Sequence, residues 1–380
     1  MKRAVTFSVV LLFLLPVCYL FADQSQQGTK SFAVSKGGTL KISLATGDVR
    51  INTWDKNEVS VKLDDIDDMD EANSHKINIS QNGNTVIVEN RGGGGWSSSN
   101  DVSVSVPREF NLDVKTNQGD VDLKSDIKGW VDINTGGGDV TVKKITGKAT
   151  LNTNGGDINT DDVYGELNLS TNGGDIVAGN ISGNAHISTL GGSIETGNIS
   201  GNLYVKTNGG EIHAGEIGGT ANAITMGGGI ILKKVSKSAI AKTNGGNIKL
   251  AGSAGPVTVK TLGGNIELYD VSGPVEATTN AGNVNVELKS VGNGPSNIST
   301  MAGNISLYIN QAEKVTINAL VKSVHPHSDD NAVVSDIPAK TYEAGKYTGA
   351  VNATYLLNGG GEQITLKTMI GTIKIKKIKK

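Results

Sequence analysis

One short phrase, Thr-x-x-Gly-x-Ile/Val, recurs eleven times between residues 116 and 305 and constrains this chain more than anything else in it. Its threonines are Thr116, Thr135, Thr153, Thr171, Thr189, Thr207, Thr225, Thr243, Thr261, Thr279 and Thr300. From Thr135 to Thr279 the step is eighteen residues each time, against nineteen for the first step and twenty-one for the last. A fixed period this short is the mark of a solenoid, in which one repeat is one coil and buries its apolar face only by stacking on its neighbours.

Each coil reads as two short strands and two tight turns. In Leu167-Asn-Leu169-Ser-Thr171 apolar residues or threonine alternate with polar ones, the period of a half-buried strand. After the turn, Ile158, Ile176, Ile194, Ile212, Ile230, Ile248 and Ile266 form a second inward column. Stacking at about 4.8 Å lays like on like, giving isoleucine, small-aliphatic and threonine ladders inside and a regular part about 50 Å long. The predicted fold is an all-β, single-stranded parallel β-solenoid (β-helix) with about 18 residues per coil and irregular caps.

Three residues after every repeat threonine stands a glycine, from Gly119 to Gly303, and the spacing predicts a positive φ there. One position earlier Gln118, Ala281 and Ala302 are accepted, so that site tolerates a side chain. A second glycine column (Gly147, Gly165, Gly183, Gly201, Gly219, Gly255, Gly273) marks the other turn, and Lys237 interrupts it, which predicts a reshaped corner.

Only 4% of residues are aromatic and 51 are glycine, which suits thin coils with no room for rings. A formal net charge of −2 leaves no basic surface that argues for nucleic acid. Residues 1–22 read as a signal peptide, with Lys2 and Arg3, an apolar run from Val9 to Leu15 and Leu20-Phe-Ala22 before Asp23. The one cysteine, Cys18, lies in that leader, so the mature chain has no disulfide. Val17 stands where a lipobox needs a small residue, which argues against lipid anchoring through Cys18. The expected organisation is then a linker at 23–31, an N-terminal cap with irregular first coils at 32–115, the regular solenoid at 116–305, and C-terminal coils with a cap at 306–380. No transmembrane segment is expected in the mature chain.

Thr46-Gly-Asp-Val49 is a worn copy of the repeat phrase near the start, and the lysines of Ile373-Lys-Ile-Lys-Lys-Ile-Lys-Lys380 suit a strand edge guarded against end-to-end pairing. Gly47-Asp-Val-Arg-Ile-Asn-Thr-Trp54, Val106-Pro-Arg-Glu-Phe-Asn-Leu112, the Thr-Asn-Gly-Gly-Asp-Ile phrases, Leu357-Asn-Gly-Gly-Gly361 and Ile364-Thr-Leu-Lys-Thr368 together resemble the bacterial putative-adhesin proteins with β-strand repeats, a group of exported proteins of unassigned function. The resemblance spans about Phe32 to Lys380. It implies a parallel β-solenoid at the cell envelope and brings no catalytic residues with it.

Chemistry-bearing residues are sparse. Asp64, Asp65, Asp67, Asp68, Asp70 and Glu71 form an acidic run without the glycine and spacing of a calcium loop, and read as a solvated loop. The column Asp120, Asp139, Asp157, Asp175 stacks like charges, yet continues as Ser193, Glu211, Gly229 and four asparagines, whereas a calcium roll repeats its ligands in every coil. His325, Pro326, His327, Asp329 and Asp330 make the one mixed acid–base cluster, and Trp96 sits in a glycine-rich excursion. No metal, cofactor or catalytic residue is expected. The residue after the repeat threonine alternates Asn172, Leu190, Asn208, Met226, Asn244, Leu262, Asn280, Met301. That row either interleaves large and small neighbours at a corner or, if exposed, forms an amide and aliphatic stripe for an extended ligand.

These readings point to a non-catalytic exported protein, in the periplasm, on the outer surface or secreted, that presents a repetitive face for adhesion or scaffolding. Its partners would be a glycan, a matrix polymer or an envelope protein. The rivals are a polysaccharide-processing enzyme on a β-helix and a periplasmic scaffold for envelope partners.

Overall fold

The computed structural model describes residues 29–64, 77–90, 101–322, 332–345 and 350–378. Through the repeat region the chain winds as a parallel solenoid whose coils stack in register, with an irregularity where Ile266–Ser272 meets Val284–Ser290. Leu167 lies over Ala185 and Leu169 over Ile187, then Ala185 over Leu203 and Ile187 over Val205. The second face does the same, with Ile158, Ile176, Ile194, Ile212 and Ile230 in one file.

The coil is three-sided. Between the second face (Ile176–Ala178, for instance) and the next first face lies a third, seen as the short strands Ile127–Lys128, Ile145–Thr146 and Val163–Tyr164 and then as single bridges joining Val163, Ile181, Ile199, Ile217 and Val235. Each member of that file is buried. The sequence pattern shows two strands because the third face carries one inward residue between two corners, too short for any alternation to register. Each coil thus turns six side chains inward, for example Leu167, Leu169, Thr171, Ile176, Ala178 and Ile181. A fully buried leucine or isoleucine contributes about 1.5–3 kcal/mol.

The glycines follow from close approach. A Cβ on Gly156, Gly174, Gly192, Gly210 or Gly264 would stand 1.9–2.2 Å from the glycine carbonyl oxygen one coil below. A positive φ occurs in this file at Gly119, Gly303 and Gly371, at the ends of the stack, and the glycines from Gly138 to Gly282 lack it. The expectation of a left-handed conformation therefore gives way to a steric one: the backbones here are in contact. The preceding position is looser and uneven: nothing lies within 4 Å of a Cβ on Gly137, while one on Gly209, Gly227 or Gly245 would stand 2.7–2.8 Å from a glycine carbonyl oxygen one coil below. At Lys237 the expected reshaping is not seen: its amide donates to Gly219 O at 3.1 Å as that of Gly219 does to Gly201 O at 2.9 Å. A different corner changes, since from Ile230–Val235 onward the second face runs on as strands of six or seven residues.

Both ends break the correspondence between chain order and stacking order. At the N-terminal end Thr39–Leu44 and Val49–Trp54 form a coil directly against the Thr116 coil, and Thr85–Asn90 and Val102–Pro107 lie outside it. Leu44, rather than Thr46, pairs with Thr116. At the C-terminal end Glu362–Ile370 and Ile373–Lys377 stack on the Thr300 coil, with Thr300 against Thr368 and Ile305 against Ile373. Val315–Lys322 lies outside Glu362–Ile370, followed by the antiparallel strands Ala350–Leu357 and Ala339–Ala344. Thr368-Met-Ile-Gly371-Thr-Ile373 is thus a further repeat that the eighteen-residue count misses. Ile373–Lys377 pairs on both sides, with Ile305–Ile309 and Val333–Ser335, so its lysines do not guard a free edge. Antiparallel strands close each end and blunt it against further parallel pairing. Large buried aromatics occur at these ends, Phe110 and Tyr355, where the cross-section is no longer one thin coil.

Candidate functional site: an exposed corner stripe

The residues after the repeat threonines stand on the corner between the first and second faces, and their side chains point outward. Leu190, Met226, Leu262 and Met301 are 53%, 51%, 44% and 51% exposed. Asn172, Asn244 and Asn280 are exposed between them and Asn208 is half-buried. Backbone bonds hold the corner in step: the amide of Asn172 donates to Asn154 O at 3.2 Å, that of Met226 to Asn208 O at 3.2 Å, and that of Leu262 to Asn244 O at 3.1 Å. Aliphatic side chains therefore recur at every second coil, about 9.6 Å apart. Met369, with Ile370 beside it, extends the row on the coil that stacks out of chain order.

Lysines of the first face run alongside. Lys206, Lys242, Lys260 and Lys367 precede the threonines by one residue and are exposed. The corner is thus a ridge of thioether, leucine and amide with a partial cationic margin.

The acidic column is a hydrogen-bond ladder. Asp120 Oδ1 accepts the Asp139 amide at 2.8 Å, Asp139 Oδ1 that of Asp157 at 2.8 Å, Asp157 Oδ1 that of Asp175 at 2.7 Å, and Asp175 Oδ1 that of Ser193 at 2.7 Å. Asn247, Asn265 and Asn283 do the same work higher up, which explains why aspartate, serine and asparagine interchange in this file. The charge is incidental to that role, and the amide dipoles aimed at each carboxylate offset part of the repulsion between neighbours. Among the described residues no three His, Cys, Asp or Glu side chains are grouped to hold a metal ion.

Titration is shifted in a few places. Glu109 is held below the usual carboxylate range by a 3.3 Å hydrogen bond from Lys36, then by the charge of Lys128. Arg108 is raised by its hydrogen bond to Asp55 and Lys144 by its bond to Asp126. At Tyr269 burial and then the Glu267 carboxylate, 3.2 Å from its hydroxyl, push the phenol up. These groups lie apart and build no common centre.

The expected leader with Cys18, the acidic run from Asp65 to Glu71, Trp96 and the cluster His325, Pro326, His327, Asp329, Asp330 lie outside the described residues. Asp64, the first of the run, accepts from the Ser103 hydroxyl and pairs with Lys62 at 3.2 Å and Arg50 at 3.6 Å. The sequence columns do not single out one further feature, a stacked His186–Tyr204 pair on the first face. No helix among the described residues is long and apolar enough to cross a membrane.

Three-sided parallel coils, closed by antiparallel strands and carrying regular outward files, define a repetitive β-solenoid protein. Residues 37–223 match the family described as Toastrack DUF4097. Among solved structures the chain is similar to a putative cell adhesion protein from Clostridium sporogenes, with 10% identity, a TM-score of 0.17, and 92% of this chain and 99% of that one covered. It is also similar to a putative adhesin from Bacteroides fragilis (12% identity, TM-score 0.24, 92% and 96% covered) and to a putative lipid binding protein from Parabacteroides distasonis (12%, 0.20, 92% and 96%). No curated protein matches the chain.

Proposed function

We propose that this is a non-catalytic exported protein of the cell envelope or surface, whose repetitive solenoid faces serve adhesion or scaffolding. The observation that carries this reading is the exposed corner stripe from Asn172 to Met301. A thin coil gains nothing in its core from exposing Leu190, Met226, Leu262 and Met301 at a fixed step, whereas an extended polymer or a second repetitive surface meets the same contact again at each step. Weak contacts repeated along a rigid rod add through effective concentration.

The test is retention of the purified protein on a panel of glycans and matrix polymers, with release of new reducing ends read in parallel. Saturable retention, lost when Leu190, Met226, Leu262 and Met301 are all changed to serine, supports adhesion through the stripe. New reducing ends would overturn the non-catalytic reading in favour of a polysaccharide-processing enzyme. Silence in both channels would remove adhesion to these polymers and leave a scaffold for envelope proteins.

A further inference from the structure

Between Asp132 and Glu276 no strand of the first face carries a carboxylate, from Ala149–Asn152 through Leu167–Ser170, Ala185–Ser188, Leu203–Lys206, Ala221–Ile224 and Ala239–Lys242 to Val257–Lys260. The other sides of the same coils carry Asp157, Asp175, Glu195, Glu211 and Glu216. The first face instead turns outward Lys206, Lys242 and Lys260, all exposed, with the half-buried Tyr204, Ile224 and Ile240 among them. Leu190, Met226 and Leu262 of the stripe border these lysines along the corner.

We infer that this face and its corner dock on the anionic phospholipid surface of a membrane, with the solenoid axis lying flat. The inference names a surface for the stripe to meet. It rests on the stripe's exposure, as the adhesion reading does, and on a charge distribution which that reading does not use.

The lysines are available to a partner. Elsewhere on the coils Lys143 pairs with Asp161 at 3.3 Å, Lys249 with Glu267 at 3.8 Å and Lys289 with Asp270 at 3.1 Å. Among the described residues Lys206, Lys242 and Lys260 enter no ion pair, so meeting a phosphate breaks none. Lys206 and Lys242 lie two coils apart with Ile224 between them, and Lys260 stands on the coil after Lys242. Three unpaired cations within about 14 Å repel one another, and an anionic surface offsets that repulsion. Glu166, on the adjoining corner two coils from Lys206, is already met by Lys148 at 3.8 Å.

Apolar content selects lipid over a soluble polyanion. A polyanion is satisfied by the lysines and leaves Leu190, Met226, Leu262, Ile224 and Ile240 in water. At a bilayer the same side chains reach past the headgroups into the acyl boundary while the ammonium groups stay among the phosphates, as on any basic amphipathic surface. Tyr204 suits that level too, with an apolar ring and a polar hydroxyl. Coils stacked in register make the face continuous, so a planar surface meets successive coils together.

The experiment is sedimentation of the purified protein with vesicles of phosphatidylglycerol and phosphatidylcholine in equal parts, and with vesicles of phosphatidylcholine alone. Binding to the mixed vesicles should exceed binding to phosphatidylcholine at least tenfold and weaken as salt is added. Lys206→Gln, Lys242→Gln and Lys260→Gln combined should weaken it at least tenfold, since each basic residue near such a surface contributes about fivefold. Leu190→Ser, Met226→Ser and Leu262→Ser combined should weaken it several-fold. The emission of Met226→Trp should shift to the blue on mixed vesicles, whereas that of Ile231→Trp, on the second face of the same coil, should not. All these positions face outward, so thermal midpoints near wild type show that the variants fold.

Absence of binding, equal binding to both kinds of vesicle, undiminished binding by the glutamine variant, or no shift in Met226→Trp would overturn the assignment. Binding lost in the glutamine variant, kept in the serine variant and competed by soluble heparin would overturn it in favour of an acidic polymer. Polymer retention lost in the four-serine stripe variant, with no vesicle binding by wild type, would remove the membrane and keep adhesion. Vesicle binding without retention on any polymer would do the reverse.

Discussion

The Thr207 hydroxyl donates to Gly192 O, 2.7 Å away on the coil below, and accepts the amide of Gly210 on its own coil at 3.3 Å. The same pair of bonds recurs from Thr153 to Thr261, so the repeat threonine is a buried rivet between coils rather than a surface group. Thr207→Val keeps the shape and leaves a buried carbonyl and a buried amide without partners. It should cost about 1–3 kcal/mol. Thr207→Ser keeps the hydroxyl and should cost less than the valine. Denaturant midpoints at constant slope check both.

Gly264 and Gly137 separate two glycine roles that look alike in the repeat. A Cβ on Gly264 would stand 1.9 Å from Gly246 O, whereas nothing lies within 4 Å of one on Gly137. Gly264→Ala must push two coils apart and should destabilise by more than about 2 kcal/mol. Gly137→Ala should be neutral or stabilising by up to about 1 kcal/mol through the unfolded chain. Equal thermal midpoints for the two variants would show that contact between coils does not explain the glycine file.

Asp157 Oδ1 serves the Asp175 amide, and its neighbours in the file are also carboxylates. Asp157→Asn keeps an acceptor and removes one like charge, so stability should stay within about 0.5 kcal/mol of wild type or rise. Asp157→Ala removes the acceptor and should cost about 1 kcal/mol. Added salt should narrow the difference between wild type and Asp157→Asn, because it screens the repulsion that only wild type carries. Chemical denaturation at low and high ionic strength reads both effects. A large rise in the wild-type midpoint with calcium, absent from Asp157→Asn, would return the column to the metal-binding reading.

How far the sequence reaches depends on whether a constraint repeats. Thr207, Gly210 and Ile212 are legible because the same contact is made in every coil, so the same residue returns at eighteen. Ile181 and its file are buried as deeply, but one inward residue per face leaves no alternation to read. Thr368 stacks on Thr300 from 68 positions away, since the chain first builds the cap and then inserts a coil beneath it, and no periodicity reports such a return. The stripe residues could be placed on one corner from spacing, while their exposure needed coordinates. His186 and Tyr204 share a file with Asn168 and Asn222, four different environments for one column, and only their stacking in space makes them a feature.

Tyr355 ties the C-terminal cap to pH. It sits on Ala350–Leu357 between Ile317 and Ala339 and is 3% exposed. Burial, and then the neighbouring Tyr342 phenol, push its pKa above the usual tyrosine value. A group raised in the folded state binds its proton more tightly there than in the unfolded chain. Its contribution is therefore complete below the unfolded tyrosine pKa of about 10 and is lost as pH rises through the folded value. Tyr355→Phe keeps the buried ring and removes the titration. Thermal midpoints of wild type and Tyr355→Phe should run parallel from pH 7 to 9 and diverge above about pH 10, with wild type falling more steeply. Tyr269, shifted in the same direction, is present in both proteins and drops out of the difference. Parallel curves up to pH 11 would mean that the phenol reaches solvent in the folded cap, and that the antiparallel strands over it open before the solenoid does.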